Sequence, residues 1–310
     1  MNTKIKTFHA VWNTMIKYKV YIQIAISLVI ITLIFQRIDG KIAFSLITQL
    51  DFTVIGLLLA LSLTKFVIQA INWHFCLNLN GNGVSSLKLA LKTHIISSAL
   101  RFFLPGGLAT FGKVFYINTQ SKTDTVFSIL IEKFYITWGI VMFASISLPL
   151  CLFYLHNKNA FSLFLLPAIV FILPFFILKI FPKMTTATQK KNYNKTTPIF
   201  IATQLIFIPL TMVQYYILLQ FFLSNELPFF MVAIVISLIL SADIIPITYS
   251  GLGLRETASM ILLPLIGIPA EIAVGTSLII FLFNAVIPAI PGVVLIAINK
   301  PKEQAQWISP

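Results

Sequence analysis

The stretch Ser241–Glu256, SADIIPITYSGLGLRE, decides how this chain is read. It lies deep inside an apolar region, yet it carries Asp243, Arg255 and Glu256. Pro246, Gly251 and Gly253 interrupt any helix that runs into it, because proline removes a backbone donor and glycine weakens helical order. An earlier stretch, Arg101–Lys113 (RFFLPGGLATFGK), has the same character: an apolar approach, Pro105, Gly106, Gly107, then Lys113. Two broken, charged segments in one hydrophobic chain are the main clue to fold and function.

The surrounding composition fixes the class. Of 310 residues, 58% are hydrophobic and only 10% charged, and the mean hydropathy is +0.94. Repeated apolar runs of about 20 residues match a bilayer with about 30 Å of hydrocarbon. The net charge is +13, from 22 basic and 9 acidic residues. In a soluble chain that excess would suggest nucleic acid. Here the lysines fall between apolar runs, which reads as a topology signal, and no nucleic-acid partner is expected. Cys76 and Cys151 stand alone without metal or disulfide spacing. The run Val20–Phe35 is followed by Gln36, Arg37 and Asp39 rather than by a small-residue cleavage site, so it reads as a retained first helix.

Taken in order, the chain gives an all-α polytopic integral membrane protein with about six full spans and two re-entrant hairpins. Residues 1–19 form a basic cytoplasmic segment, either amphipathic at an anionic surface or a disordered tail. A single transmembrane domain follows over 20–299. Its first half, 20–181, contains a helix over Phe52–Ile71, a loop over 72–86, the re-entrant segment 87–117 and spans over 125–155 and 161–181. A basic cytoplasmic loop over 182–198 leads to the second half, 199–299, with the re-entrant segment 229–266. The tail is 300–310. With both hairpins re-entrant, every strongly basic segment falls on one side, and both termini are expected in the cytoplasm of a cytoplasmic (inner) membrane protein. The hairpins then enter from opposite faces, and their breaks meet near the midplane.

Ionisable groups at that depth are costly unless they pair or face water. The basic candidates are Arg101, Lys113, Lys133 and Arg255; the acidic ones are Glu132, Asp243 and Glu256. In one reading they pair with one another and hold the bundle together. In the other, excess positive charge receives an anionic group. Arginine suits phosphate through bidentate hydrogen bonds, and Gly251 and Gly253 let backbone N–H groups approach it at a helix start. His9, His74, His94 and His156 are scattered, and neither a clustered carboxylate motif nor a phosphate loop is present. No catalytic residue, metal site or cofactor is expected.

Four stretches carry a resemblance: INWHFCLNLNG at 71–81, PGGLATFGK at 105–113, IEK at 131–133 and IPITYSGLGLRE at 245–256. Together they resemble the transmembrane region of the lysylphosphatidylglycerol synthase/flippase family over nearly the whole chain. Ala109 and Thr110 sit where a further glycine is common there, and Lys113 and Lys133 stand where arginine is common. Lysine keeps the charge but lacks the bidentate fork. The resemblance implies a lipid-translocating membrane domain. The soluble aminoacyl-transferase domain of the bifunctional members is not expected here, nor is lysyl transfer. The expected function is therefore a lipid flippase binding an anionic phospholipid or a polyprenyl-phosphate-linked saccharide at a midplane basic site. The expected site comprises Arg101, Pro105, Gly106, Gly107, Lys113, Glu132, Lys133, Asp243, Gly251, Gly253, Arg255 and Glu256. The alternatives are an integral membrane transferase (or its accessory subunit) acting on a lipid phosphate, and a structural scaffold. A second copy of the chain or a biosynthetic enzyme is the candidate protein partner.

Overall fold

The computed structural model describes residues 32, 45–81, 85–102, 108–117, 121–154, 163–180, 186–223, 227–245 and 252–298. The expected first helix, Val20–Phe35, both termini, Pro105–Gly107 and Gly251 lie outside them, apart from Thr32. The described residues contain helices and no strand. Among the described residues, four helices are long and apolar enough to cross a membrane: Phe52–Asn78, Lys122–Tyr154, Ala187–Phe222 and Ala270–Ile298.

Helix α1, Phe52–Asn78, starts where Asp51 accepts a hydrogen bond from the Val54 amide. It runs through Asn78 and absorbs the first part of the loop expected over 72–86. Helix α2, Leu87–Leu100, is capped by Ser86. After the break come a single turn α3, Leu108–Phe111, and a 3-10 turn, Gly112–Tyr116, that packs back on α2. Helix α4, Lys122–Tyr154, is continuous through Pro149. Helix α5, Leu166–Ile180, has only 15 residues and is the shortest of the expected spans.

Helix α6, Ala187–Phe222, corrects the expectation of a basic loop over 182–198. Its start is fixed by a capping box in which Thr186 and Gln189 satisfy each other's backbone donors. Gln189 also bonds Asn80 Oδ1 at 2.8 Å and Asp124 Oδ1 at 3.3 Å, tying the helix start to its neighbours. Lys190, Lys191 and Lys195 therefore lie on exposed positions of a helix. Their charge pattern had marked a loop; the T-x-x-Q signature at 186–189 marks a helix start.

The second hairpin comprises α7, Phe229–Ser241, a 3-10 turn over Ala242–Ile244, α8, Leu254–Leu262, and a 3-10 turn over Leu263–Ile266. The last span comprises α9, Ala270–Phe281, a π-helical turn over Leu282–Val286, and α10, Ile287–Ile298. The π turn has a local cause. Pro288 has no N–H to give the Asn284 carbonyl, and the Ile287 N–H reaches back to Leu282 instead.

At 1.5 Å per residue, α2 and α7 are each about 20 Å long, short of a bilayer's hydrocarbon core. The first hairpin's α2 packs on α10, the C-terminal half of the last span, whereas α8 of the second packs on α9, its N-terminal half. The two hairpins thus occupy opposite ends of one helix. Each hairpin's first arm packs on the long helix that follows the other hairpin: α2 on α10, and α7 on α4. That exchange interlocks the two halves of the chain.

Close approach at the α2–α10 contact depends on Gly292. A Cβ there would run into the Ile95 carbonyl and come within 2.7 Å of the Ala99 Cβ. At the tip of α2, the Phe102 ring stacks edge-on against Phe281 at 6.1 Å, next to the π turn. The buried apolar residues fall into two cores. One gathers Leu58, Tyr215, Leu218, Val235 and Ile279; the other gathers Trp73, Leu77, Tyr135 and Phe200. On α1 the buried polar residues between Leu58 and Trp73 are Ser62, Lys65, Gln69 and Asn72.

Candidate functional site

The first break ends in a closed ion pair. Lys113 Nζ donates to both oxygens of Glu132 at 2.7 Å, and the side chains are only 1% and 2% exposed. The ammonium also lies 4.0 Å from the Trp73 ring centroid. Trp73 is itself fully buried and held by a 2.9 Å bond from Nε1 to Thr93 Oγ1. The 3-10 turn of the hairpin, α4 and α1 each supply one member of this assembly. Among the described residues the ammonium's partners are this carboxylate and this ring.

The second break is built differently. Arg255, in the first turn of α8, reaches back to Asp243 on the 3-10 turn. Its Nε donates to Oδ1 at 3.1 Å and its Nη2 to Oδ2 at 2.5 Å, a side-on bidentate pair. These side chains are 17% and 23% exposed. A guanidinium carries five N–H donors, and Asp243 is the only acceptor bonded to them among the described residues.

The neighbouring backbone explains the aim of Arg255. Gly253 adopts φ 96°, a conformation that an L-residue with a Cβ rarely adopts. That turn starts α8 so that the Gly253 N–H donates to Glu256 Oε2 at 2.7 Å. Glu256 is 3% exposed, and its other oxygen accepts from Ser277 Oγ at 3.3 Å. Glu256 thus caps the helix and pins it to α9, while Arg255, one residue earlier, points to the break.

Arg101 closes α2 and is exposed. Among the described residues it makes no side-chain hydrogen bond or ion pair, although Asp243, Arg255 and Glu132 all lie within electrostatic reach. It is therefore the cation that feels the carboxylates of both breaks. Lys133 is half-buried and within reach of Arg101, Glu132 and Lys113.

A further basic residue completes the group, one that is not among the candidates read from the sequence. Lys65, at the middle of α1, is 4% exposed and within electrostatic reach of Arg255 and Asp243. The missed signal was periodic: Ser62, Lys65, Gln69 and Asn72 recur on one face of an otherwise apolar helix. Five cations (Lys65, Arg101, Lys113, Lys133, Arg255) thus interact with three carboxylates (Glu132, Asp243, Glu256) in one connected cluster. By formal count the basic groups outnumber the carboxylates by two, and Arg101 and Arg255 carry accessible guanidinium donors without a bonded acceptor among the described residues beyond Asp243. A separate cavity of about 460 Å³ is lined instead by the helix starts, with Lys122, Asp124, Thr186 and Gln189 among its residues.

Of the expected site, the structure brings Arg101, Lys113, Glu132, Lys133, Asp243, Arg255 and Glu256 within electrostatic reach of one another and makes Gly253 the start of α8. No curated protein matches the chain. Residues 20–292, most of its length, match the family described as the lysylphosphatidylglycerol synthase TM region, and the chain belongs to that family.

Proposed function

We propose that this protein is a lipid transporter of the cytoplasmic membrane. It binds the phosphate of an anionic phospholipid or of a polyprenyl-phosphate-linked saccharide between the two hairpin tips and passes it from one leaflet to the other. Both termini face the cytoplasm, where the basic segments collect. The observation that carries this reading is the charge surplus with open donors: Arg101 has no bonded acceptor among the described residues, and Arg255 has only Asp243. Excess cationic charge in a low-dielectric interior is costly until an anion joins it. Two guanidinium groups suit phosphate oxygens. Hairpins lying at opposite ends of one span offer access from either face in turn. Membership in a family named for a lysylphosphatidylglycerol synthase supports a lipid as the cargo.

The test uses purified protein in phosphatidylcholine vesicles with fluorescently labelled phosphatidylglycerol, whose leaflet is read by dithionite quenching. Arg255→Ala and Arg101→Ala are expected to slow exchange by about tenfold or more, since a hydrogen bond to a charged group contributes about 1.5–3 kcal/mol. Their melting in detergent shows whether they fold. Folded variants that exchange the probe as fast as the wild type overturn the proposal. A chemically altered lipid, seen by mass spectrometry after incubation with membrane extract, points to the transferase alternative.

A further inference from the structure

The cavity at the helix starts shares no residue with the charged cluster, and the proposed transport does not use it. Its volume is about 460 Å³, within the range of about 300–1,000 Å³ usual for small-ligand pockets. Its walls are held by bonds within the protein. Gln189 Nε2 donates to Asn80 Oδ1 at 2.8 Å. Asn80 Nδ2 donates to the Asp124 carbonyl at 3.2 Å and to Ser128 Oγ at 3.1 Å. Both carboxylate oxygens of Asp124 are engaged: Oδ1 accepts from Gln189 at 3.3 Å and Oδ2 from Ser121 at 2.7 Å. These bonds join the end of α1 to the starts of α4 and α6.

One face of α4 sets the character of the cavity. Lys122, Val126 and Leu130 recur every four residues, as do Thr123 and Phe127, so all five lie along one side of the helix. The order is polar at the helix start and apolar further in, over about 12 Å. Leu130 is 44% exposed on a membrane-spanning helix, so the apolar part of the cavity faces acyl chains. A phospholipid has the same order, headgroup first and chains after it.

The charge around the cavity is one-sided. Ser85 Oγ donates to Asn78 Oδ1 at 2.6 Å, which brings the start of α2 to the same end. The first two turns of α2, α4 and α6 carry Lys88, Lys92, Lys122, Lys190 and Lys191 against Asp124 alone. The opposite ends of α1, α4 and α6 carry Asp51 and no basic residue among the described ones. Lys190 is exposed and lies one turn along α6 from Thr186, which lines the cavity, so a second lysine flanks it.

We propose that this cavity is a second lipid site: it holds the phosphate of an anionic phospholipid of the cytoplasmic leaflet at Lys122 and Lys190, with the chains along Phe127 and Leu130. Basic pockets between membrane helices on the cytoplasmic side are suited to such headgroups. The site lies beyond the transport site, and its sidedness rests on the orientation given with the transporter reading.

Native mass spectrometry of the detergent-purified protein, mixed with equal amounts of phosphatidylglycerol and phosphatidylcholine, tests it. Arg255→Ala serves as a second background, in which the transport site is disabled. In both, phosphatidylglycerol is expected to be retained in preference. Lys122→Gln combined with Lys190→Gln should cut that preference about fivefold or more, the worth of one lysine near an anionic lipid surface. Leu130→Trp, which fills the apolar part, should cut retention of both lipids. Melting in detergent identifies folded variants, and each variant serves if the other does not fold. Equal retention of the two lipids by the wild type overturns the proposal. So does a folded lysine variant with unchanged preference, or folded Leu130→Trp with unchanged retention. If Arg255→Ala stops lipid exchange while the lysine variant keeps the wild-type preference, only this site fails. If the wild type exchanges no lipid but its retention of phosphatidylglycerol depends on the lysines, only the transporter reading fails.

Discussion

The two breaks look alike in sequence and differ in the folded chain. Each joins proline and glycines to a basic residue, and each basic residue finds a carboxylate. At the first break the pair is dry, with Lys113 and Glu132 only 1% and 2% exposed and Trp73 over the ammonium. At the second break the Arg255–Asp243 pair is roughly a fifth exposed, and further cations stand within reach. The difference teaches that an intramembrane ion pair is not one kind of thing. A closed pair with matched charge fixes a hairpin against its neighbours. An open pair in a cationic surplus is held loosely enough to exchange its partner.

The largest expected effect tests the closed pair. Lys113→Met leaves Glu132 buried without its cation, and breaking such a pair typically costs about 3–5 kcal/mol. The detergent-solubilised protein should melt at a markedly lower temperature and be recovered in poor yield. Arg255→Ala should cost far less stability, because Asp243 remains partly solvated and keeps Arg101 and Lys65 within reach. Equal losses of melting temperature for the two would erase the distinction between the breaks.

How much of this was legible in the sequence follows from what each signal measures. Hydropathy and the broken segments gave the helical membrane class, the two hairpins and all the charged residues of the cluster but Lys65, because a proline, a glycine pair or an intramembrane arginine is costly in a lipid-facing span. Which charge pairs with which was not legible. Lys113 and Glu132 are 19 residues apart, and their meeting depends on how the hairpin leans on α4. Lys65 escaped for a related reason. Its hydrogen bond reaches from α1 to α6, and Lys65 and Gln214 are 149 positions apart. A single charge in an apolar run reads as noise until the helical periodicity of Ser62, Gln69 and Asn72 is counted with it. The loop expected over 182–198 failed because charge density was weighed above the capping signature at Thr186 and Gln189.

Smaller effects probe how each hairpin is seated. Gly292→Ala places a methyl group against the Ile95 carbonyl and Ala99. Backbone cannot yield as a flexible side chain would, so α2 must move off α10, at about 1–3 kcal/mol. Melting should fall, and the effect should be confined to the first hairpin: limited proteolysis or cysteine accessibility near Ser97 should change while positions near Ser259 do not. Below that in size is the cap of α6. Thr186→Ala removes one arm of the capping box and should cost about 1 kcal/mol, visible as a modest drop in melting temperature with lipid exchange unchanged.

The sharpest use of the comparison is a substitution expected to change stability least. Lys113→Met combined with Glu132→Leu removes both charges of the first break and leaves apolar groups of similar bulk beneath Trp73. Replacing a buried ion pair by apolar residues is often neutral or stabilising, because neither charge then has to be desolvated. The double variant should therefore regain most of the melting temperature lost by Lys113→Met, to within about 1 kcal/mol of the wild type. It should also keep lipid exchange, since it removes one cation and one anion and leaves the surplus at Arg101 and Arg255 in place. A double variant that is as stable as the wild type but inactive would show that the first break takes part in handling the lipid. The closed geometry of Lys113 and Glu132 would then be one stage of a cycle in which both breaks open, rather than a fixed lock beside a single working pair.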